Sequence, residues 1–275
     1  MSKPWILVVN DDGVTSQGIK ALVEAVKNLG EVVVVAPDSP QSGMGHAITI
    51  GKPLRLTPVH LFGDIKAYKC SGTPVDCVKL AVDKVLHRKP DLCVSGINHG
   101  SNSSINIIYS GTMSAAMEAS LEGVPSVGFS LCDYREEADF TAAAHYAHLV
   151  AAYLLKYGLP KYSLLNVNIP KLPLSEIKGM KIGRQARAKW EEEYVERIDP
   201  FGKPYYWLTG KFVNYDQGHD TDEFALANGY VSVVPVLHDL TAHDVVPFLT
   251  ENWKLITTNS DEGTVPGVSK EEFNL

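Results

Sequence analysis

The chain has 275 residues, 45% of them hydrophobic and 21% charged, and a formal net charge of −7. That is the composition of a globular protein with a substantial core, either one large α/β domain or a domain with an extension. An acidic chain with no basic run does not bind duplex nucleic acid or a membrane surface through charge, although a metal or a helix N-terminus can still attract a small anion. No stretch has the pattern of a secretory signal or the apolar length of a membrane span. Cys70, Cys77, Cys93 and Cys132 form no C-x-x-C pair and lie in apolar contexts. They read as buried free thiols, so a reducing, cytoplasmic location is expected.

The first predicted element is the apolar run at residues 5–9, Trp5-Ile6-Leu7-Val8-Val9. A continuous apolar run ending in a turn signal predicts a buried parallel strand. Asn10, Asp11, Asp12 and Gly13 follow at its C-terminal end, where open α/β sheets carry their ligands. Helical spacing of Ile19, Leu22, Val23, Val26 and Leu29 predicts a helix over residues 17–29, closed by Gly30. Residues 31–36 (EVVVVA) predict a second core strand, which makes a right-handed βαβ unit. A polar, glycine-rich loop covers 37–46, and short strands are predicted at 47–59 and 65–70.

Thr73-Pro74-Val75-Asp76 opens a helix, with Thr73 as N-cap, Pro74 in the first turn and Asp76 at the positive end of the dipole. Asp76 is therefore assigned to the helix start and not to chemistry. Residues 91–95 predict a third core strand, followed by a polar loop over 96–109 with Asn98, Asn102 and Asn106. Ser110-Gly111-Thr112 starts a helix whose small residues, Ala115, Ala116, Ala119 and Ser120, suit close packing on a sheet. A strand at 124–131, a helix at 138–156 and a strand at 164–169 complete the alternation. Beyond about Lys181 the pattern changes. Residues 190–198 and 205–213 flank Asp199-Pro200-Phe201-Gly202, which predicts a β-hairpin rich in aromatic residues. So much aromatic surface predicts an interface within the chain or with a second subunit. A strand follows at 229–236, and the last fifteen residues read as a loose tail. The division is a core over 1–182 and an extension over 183–275, packed on that core and not an independent domain.

Three loops leave successive core strands on one side and present Asp11 and Asp12, then Ser42 and His46, then Asn98. Two carboxylates, a hydroxyl and an amide oxygen are hard donors that suit Mg²⁺ or Mn²⁺, with Ca²⁺ as a third choice, better than zinc. They leave room for water or a substrate oxygen, as catalysis by a metal requires. Ser110, Gly111 and Thr112 at a helix N-terminus suit a phosphate. Asn98, Asn102 and His46 are further candidates for substrate contact. One of Asp11 and Asp12 takes a proton from water, and the sequence does not choose between them.

Asn10-Asp11-Asp12-Gly13, Ala36-Pro37, Ser42-Gly43-Met44-Gly45-His46, Ser71-Gly72-Thr73-Pro74-Val75-Asp76-Cys77, Ser95-Gly96-Ile97-Asn98, Ser110-Gly111-Thr112 with Ala115-Ala116, Asp199-Pro200 with Gly202, and Gly229-Tyr230-Val231-Ser232 occur in this order. Together they resemble the stationary-phase survival protein SurE family over nearly the whole chain. The resemblance implies a Rossmann-like, mostly parallel sheet flanked by helices. It implies metal-dependent hydrolysis of nucleoside 5′- and 3′-monophosphates, with one divalent cation on Asp11, Asp12, Ser42 and Asn98. It also implies a homodimer or homotetramer built through the C-terminal hairpin. Two other readings stand beside it. Asn10-Asp11-Asp12-Gly13-Val14-Thr15 looks like the D-x-D-G-x-T motif of haloacid-dehalogenase-type phosphatases, but Asn10 replaces the nucleophilic Asp, and an amide cannot form an aspartyl-phosphate. A non-enzymatic nucleotide-binding module is the other. There is no Walker A motif, and Gly43-Met44-Gly45 is too short for a dinucleotide fingerprint.

Overall fold

Strand β1 (Trp5–Val9) lies near the middle of a nine-stranded sheet in the computed structural model, which describes residues 3 to 252. The chain continues through α1 (Gln17–Val26), β2 (Glu31–Pro37), β3 (Leu56–Val59), β4 (Lys66–Cys70), α2 (Pro74–Leu80), β5 (Leu92–His99), α3 (Gly111–Leu121), β6 (Ser126–Leu131), α4 (Thr141–Tyr157) and β7 (Ser163–Ile169). It then forms β8 (Met180–Ile182), β9 (Ala188–Ile198), β10 (Pro204–Asn214), α5 (Asp222–Ala227), β11 (Val231–Leu237) and α6 (Val245–Asn252). The strand order is β3-β4-β2-β1-β5-β6-β7-β11-β8. From β4 to β7 all neighbours are parallel, while β3 pairs antiparallel with β4, and β11 pairs antiparallel with β7 and parallel with β8. The fold is α/β, with a mostly parallel sheet. The order reverses at β1, between β2 and β5, which is the topological switch point where such sheets open a crevice.

The period-2 alternation of β1 decides which layer each side chain joins. Ile6 and Val8 pack with Ile19, Leu22 and Val23 of α1 and Ala143, Ala147 and Leu154 of α4. Leu7 and Val9 pack with Cys77 and Val78 of α2 and Ala115 and Ala119 of α3. α3 is buried along nearly its whole length, as its small residues predict. Ser16 caps α1, accepting from the Ile19 N–H. Thr73 and Asp76 form a reciprocal capping box on α2, and Asp76 Oδ1 also accepts from the Thr49 N–H, so Asp76 is a helix-start residue.

Several elements differ from the sequence expectation. Only Leu56–Val59 of the span 47–59 pairs as a strand, against the exposed edge of β4. α1 ends at Val26, and α2 is followed by a π-helical stretch at Ala81–Leu86. β5 extends to His99, taking in the start of the predicted loop, and the rest of that loop includes a 3-10 helix, Ser104–Tyr109. The hairpin is as predicted but two residues longer on each arm, with register Pro204↔Ile198 to Asn214↔Ala188. Cys70, Cys77 and Cys93 are buried, whereas Cys132 is half-buried, and all four are free.

Residues up to His238 form one compact unit, which takes in β8, the hairpin and β11, and Asp239 begins a second. Within the second unit, His243 Nε2 lies 2.6 Å from Asp239 Oδ2 on a turn that precedes α6, so the pair forms without the helix that its i,i+4 spacing suggests. The predicted tail over the last fifteen residues lies outside the described residues. Among the described residues no helix is long and apolar enough to cross a membrane.

Candidate active site

The alternation of β1 carries on past its last paired residue. Asp11 follows Leu7 and Val9 toward α3, and Asp12 follows Ile6 and Val8 toward α1 and α4. Asp11 is almost fully buried, and its Oδ1 accepts the hydroxyl proton of Thr112 in the first turn of α3. The approach is close enough to demand glycine at 111. A Cβ there would stand 2.7 Å from the Asp11 Cβ and 3.0 Å from Oδ2. Burial, then the neighbouring charge of Asp12, push the Asp11 carboxyl up to about 6, against the lowering effect of the Thr112 bond. Asp12 is half-buried, and its Oδ2 accepts from the His99 N–H at 3.2 Å. Burial raises its pKa too, partly offset by the backbone N–H and ring of His99.

Asn98 reaches the same place from β5 through a break in register. β5 pairs regularly with β6 up to Ser95↔Gly128, then shifts before Asn98↔Ser130. Leu92, Val94 and Ile97 therefore pack in one layer and Cys93 in the other. The shift turns Asn98 toward α3 and His99 toward α1 and α4. Gly96 makes it possible: its φ is +121°, and a Cβ would stand 2.4 Å from the Phe129 carbonyl oxygen. Asn98 Nδ2 donates to the Gly100 carbonyl at 2.8 Å, which leaves Oδ1 near the Thr112 hydroxyl at 3.4 Å.

Ser110 caps α3, its Oγ accepting from Met113 N at 3.0 Å. Its own hydroxyl proton stays available, as does the N–H of Gly111 in the open first turn. The hydroxyl of Thr112 is committed to Asp11, so it orients a carboxylate. Ser42 is exposed in a loop that is pinned beside the site at two backbone points. Gln41 N donates to the Asp11 carbonyl at 2.8 Å, and Gly45 N donates to that of Tyr109 at 3.2 Å. His46 is occupied elsewhere. Its Nε2 lies 3.0 Å from Glu118 Oε2 on α3, and Glu118 Oε1 pairs with Lys79 at 2.5 Å. Asn102 is built into the scaffold: it donates Nδ2 to Ser130 Oγ at 2.9 Å, and its backbone bonds Asn168 and Asn166.

The donors brought together are thus Asp11, Asp12 and Asn98, with Ser42 adjacent; His46 and Asn102 hold the surrounding loops. Among the described residues no group of three His, Cys, Asp or Glu gathers for a metal, so the set is two carboxylates plus neutral oxygens, which suits a hard cation and not zinc. One buried and one half-buried carboxylate, both raised in pKa and with no cationic side chain bonded to either among the described residues, have the electrostatics that a dication relieves. The Asn10 Oδ1 and His99 Nε2 atoms beside them are also buried without a partner. The sequence reading misses Glu118 and takes His99 as structural. An isolated glycine inside the β5 pattern was the available signal for a bulge, and hence for the facing of His99.

The model of the survival protein SurE family matches residues 6–192. The chain belongs to the SurE family. It is 61% identical over 257 residues, 93% of its length, to a protein of Cytophaga hutchinsonii named 5′-nucleotidase SurE, of which it covers 99%. It is 62% identical over 255 residues, 92% of its length, to the protein of that name from Christiangramia forsetii, covering 98% of it. In three dimensions it is similar to the SurE protein crystal structure from Aquifex aeolicus, with a TM-score of 0.78 and 43% identity over 90% of this chain and 99% of that one. The SurE match ends within β9, so the switch-point crevice with Asp11, Asp12, Asn98 and Thr112 lies wholly inside it.

Proposed function

We propose that the chain is a phosphatase that uses a divalent cation to hydrolyse nucleoside 5′-monophosphates, and 3′-monophosphates, to nucleoside and phosphate. One observation carries the reading: Asp11, buried, and Asp12, half-buried, stand side by side, both raised in pKa, at the switch point and against the N-terminus of an 11-residue helix. The names of the relatives support the substrate class. Asp11, Asp12, Ser42 and Asn98 hold the cation, Mg²⁺ or Mn²⁺ in preference to Ca²⁺. Bound there, it supplies Lewis-acid polarisation of the phosphoryl group and a lowered pKa for a water.

The rest of the chemistry belongs to the chain. Ser110 Oγ–H, the Gly111 N–H and the positive end of α3 hold phosphate oxygens as charge redistributes. Thr112 fixes the Asp11 carboxylate in one orientation. Asp12 is the more exposed acid and only its Oδ2 carries a hydrogen bond, so it takes the proton of the attacking water. Asn10 is no nucleophile: its Nδ2 donates to Gly13 O at 3.0 Å and Ser16 Oγ at 2.9 Å, holding the turn. That leaves no aspartyl-phosphate route of the haloacid-dehalogenase kind.

The hairpin serves assembly into a homodimer or homotetramer, and free thiols accord with a cytoplasmic setting. The test is a panel of AMP, GMP and 3′-AMP given to chelated protein with each metal in turn. Phosphate release restored by Mg²⁺ or Mn²⁺ is expected, and release that survives EDTA overturns the reading.

A further inference from the structure

Asn98 can serve a cation only through its oxygen, and an amide carries an oxygen on one side and two N–H donors on the other. A half-turn about the last side-chain bond would aim those donors at the cation, so the fold has to select the side. Thr112 does not select it. Its hydroxyl proton is on Asp11, and its oxygen, 3.4 Å from Asn98 Oδ1, could accept an N–H equally well. The selection falls to the Gly100 carbonyl, which takes Asn98 Nδ2 at 2.8 Å and would repel Oδ1. The direction of the Asn98 oxygen is therefore set by the direction of one peptide plane, that between Gly100 and Ser101.

This plane is held from its other end. A trans peptide points its C=O and its N–H opposite ways, and the Ser101 N–H donates to the Tyr134 hydroxyl at 3.2 Å. The ring itself lies against Gly100, where a Cβ would stand 2.4 Å from Cε1 and 2.8 Å from Cδ1, so only glycine admits it. Tyr134 is 70% exposed, and burial alone does not fix it. Its neighbours fix the backbone that carries it. Cys132 N donates to the Ile169 carbonyl at 2.9 Å, and Asp133 N to that of Leu131 at 2.7 Å. The buried Asp133 carboxylate is gripped by Arg135 at 2.6 Å and Lys171 at 3.3 Å. The peptides on either side of the plane are bonded elsewhere, Gly100 N to the Leu131 carbonyl at 2.9 Å and Asn102 N to Asn168 Oδ1 at 2.8 Å. Among the described residues, Asn98 and Tyr134 are the two side chains hydrogen-bonded to the Gly100–Ser101 peptide.

We propose that Tyr134 is a positioning residue for Asn98: its hydroxyl fixes the Gly100–Ser101 peptide, and that peptide turns the Asn98 oxygen toward the cation. The assignment rests on Asn98 holding the cation, as proposed above, and not on which phosphate ester is hydrolysed. The bonds also act in series. A peptide whose N–H donates is a better acceptor at its C=O, and an amide whose N–H donates carries more negative charge on its oxygen. The same chain of bonds that points Asn98 Oδ1 thus strengthens it as a ligand.

The test is a calorimetric titration of Mn²⁺ into the intact, chelated wild type, Tyr134→Phe, Asn98→Asp and the double variant. Tyr134→Phe keeps the ring on Gly100 and loses only the hydroxyl. It should bind Mn²⁺ about threefold to tenfold more weakly, the range that one hydrogen bond spans. Asn98→Asp has an oxygen on either side and no N–H for Gly100, so nothing is left to orient. In that background Tyr134→Phe should leave the affinity unchanged.

Equal affinity of wild type and Tyr134→Phe overturns the proposal. So does the same loss in both backgrounds, which is the additive result that a general loosening of the loop would give. Mn²⁺ binding that Asn98→Ala leaves untouched removes Asn98 as a ligand and the role of Tyr134 with it. Failure of the phosphatase reading looks different: the affinities follow the expected pattern, but no metal brings phosphate release from AMP.

Discussion

At Gly111 two physical effects of opposite sign meet. Replacing glycine by alanine in a helix ordinarily favours folding, by about 1 kcal/mol. Here the new Cβ would stand 2.7 Å from that of Asp11, backbone-fixed on both sides. Gly111→Ala is therefore expected to lower the melting temperature and weaken metal binding together, and a stabilised variant in thermal denaturation would refute the close approach. Asp11 carries a second conflict. Its carboxyl is raised from 3.8 to about 6, so ionisation costs the metal-free fold roughly 3 kcal/mol at 1.36 kcal/mol per unit. The cost is absent below pH 4, where folded and unfolded chains both hold the proton. It grows as pH rises from 4 to 6 and is complete above. Asp11→Asn keeps the acceptor for Thr112 and removes the charge. Without metal, that variant should be the more stable protein at pH 7, by up to roughly 3 kcal/mol in urea unfolding, with the gap closing toward pH 4. A variant no more stable at pH 7 would show that Asp11 is not strained. Added Mn²⁺ should reverse the order, by stabilising the wild type more.

Among the elements, the loop at 37–46 shows how a flexible segment is held for use. Gln41 and Gly45 tie it by backbone bonds to Asp11, just past β1, and to the residue before Ser110, and His46 ties it to Glu118 on α3. The His46 link is partly exposed, so it is worth little alone. His46→Ala is expected to weaken metal affinity about fivefold at most, through Ser42, and to leave the fold intact. A hundredfold loss would place His46 on the ligand after all. The loop also marks what the sequence can and cannot say. The core strands at 5–9, 31–36 and 164–169 were legible because apolar runs state burial directly. Asp11 and Asp12 were legible because they end such a run. Their opposite facings follow from the same alternation. The facing of Asn98 was not legible from counting: strict alternation from Cys93 puts it in the wrong layer, and only the irregularity at Gly96 corrects it. His46 and Asn102 look like substrate contacts because polar residues in glycine-rich loops do. Their bonds to Glu118 and Ser130 depend on residues 72 and 28 positions away, which local pattern does not report.

For the whole molecule the question is what covers the hairpin. Its base is anchored: Trp190 Nε1 donates to Asn106 Oδ1 at 2.7 Å and packs edge-on against Phe212, while Arg184 forks onto Asp216 and also bonds Asp220. Its outer half is not, with Tyr194, Ile198, Tyr206, Trp207 and Leu208 more than half exposed and Phe201 at 87%. An uncovered apolar arm of that kind is expected to pack on a second copy. Replacing 191–211 by a short Gly-Ser linker leaves Trp190 and Phe212 in place and should lower the mass seen in light scattering while metal still binds. A wild-type protein that is monomeric at micromolar concentration would contradict the assembly. Assembly and chemistry should be separable in this arrangement, since no hairpin residue is among the proposed metal donors.

The most direct measurement is phosphate release from AMP by EDTA-treated protein as Mn²⁺ is returned, with Asp12→Asn run beside the wild type. Activity should be absent without metal and saturate as Mn²⁺ is added. The variant, alike in size but short of a charge and a base, should need more metal and turn over far more slowly. Wild-type activity that persists after chelation, or an Asp12→Asn variant that matches the wild type, would contradict a metal-dependent phosphatase centred on these two carboxylates.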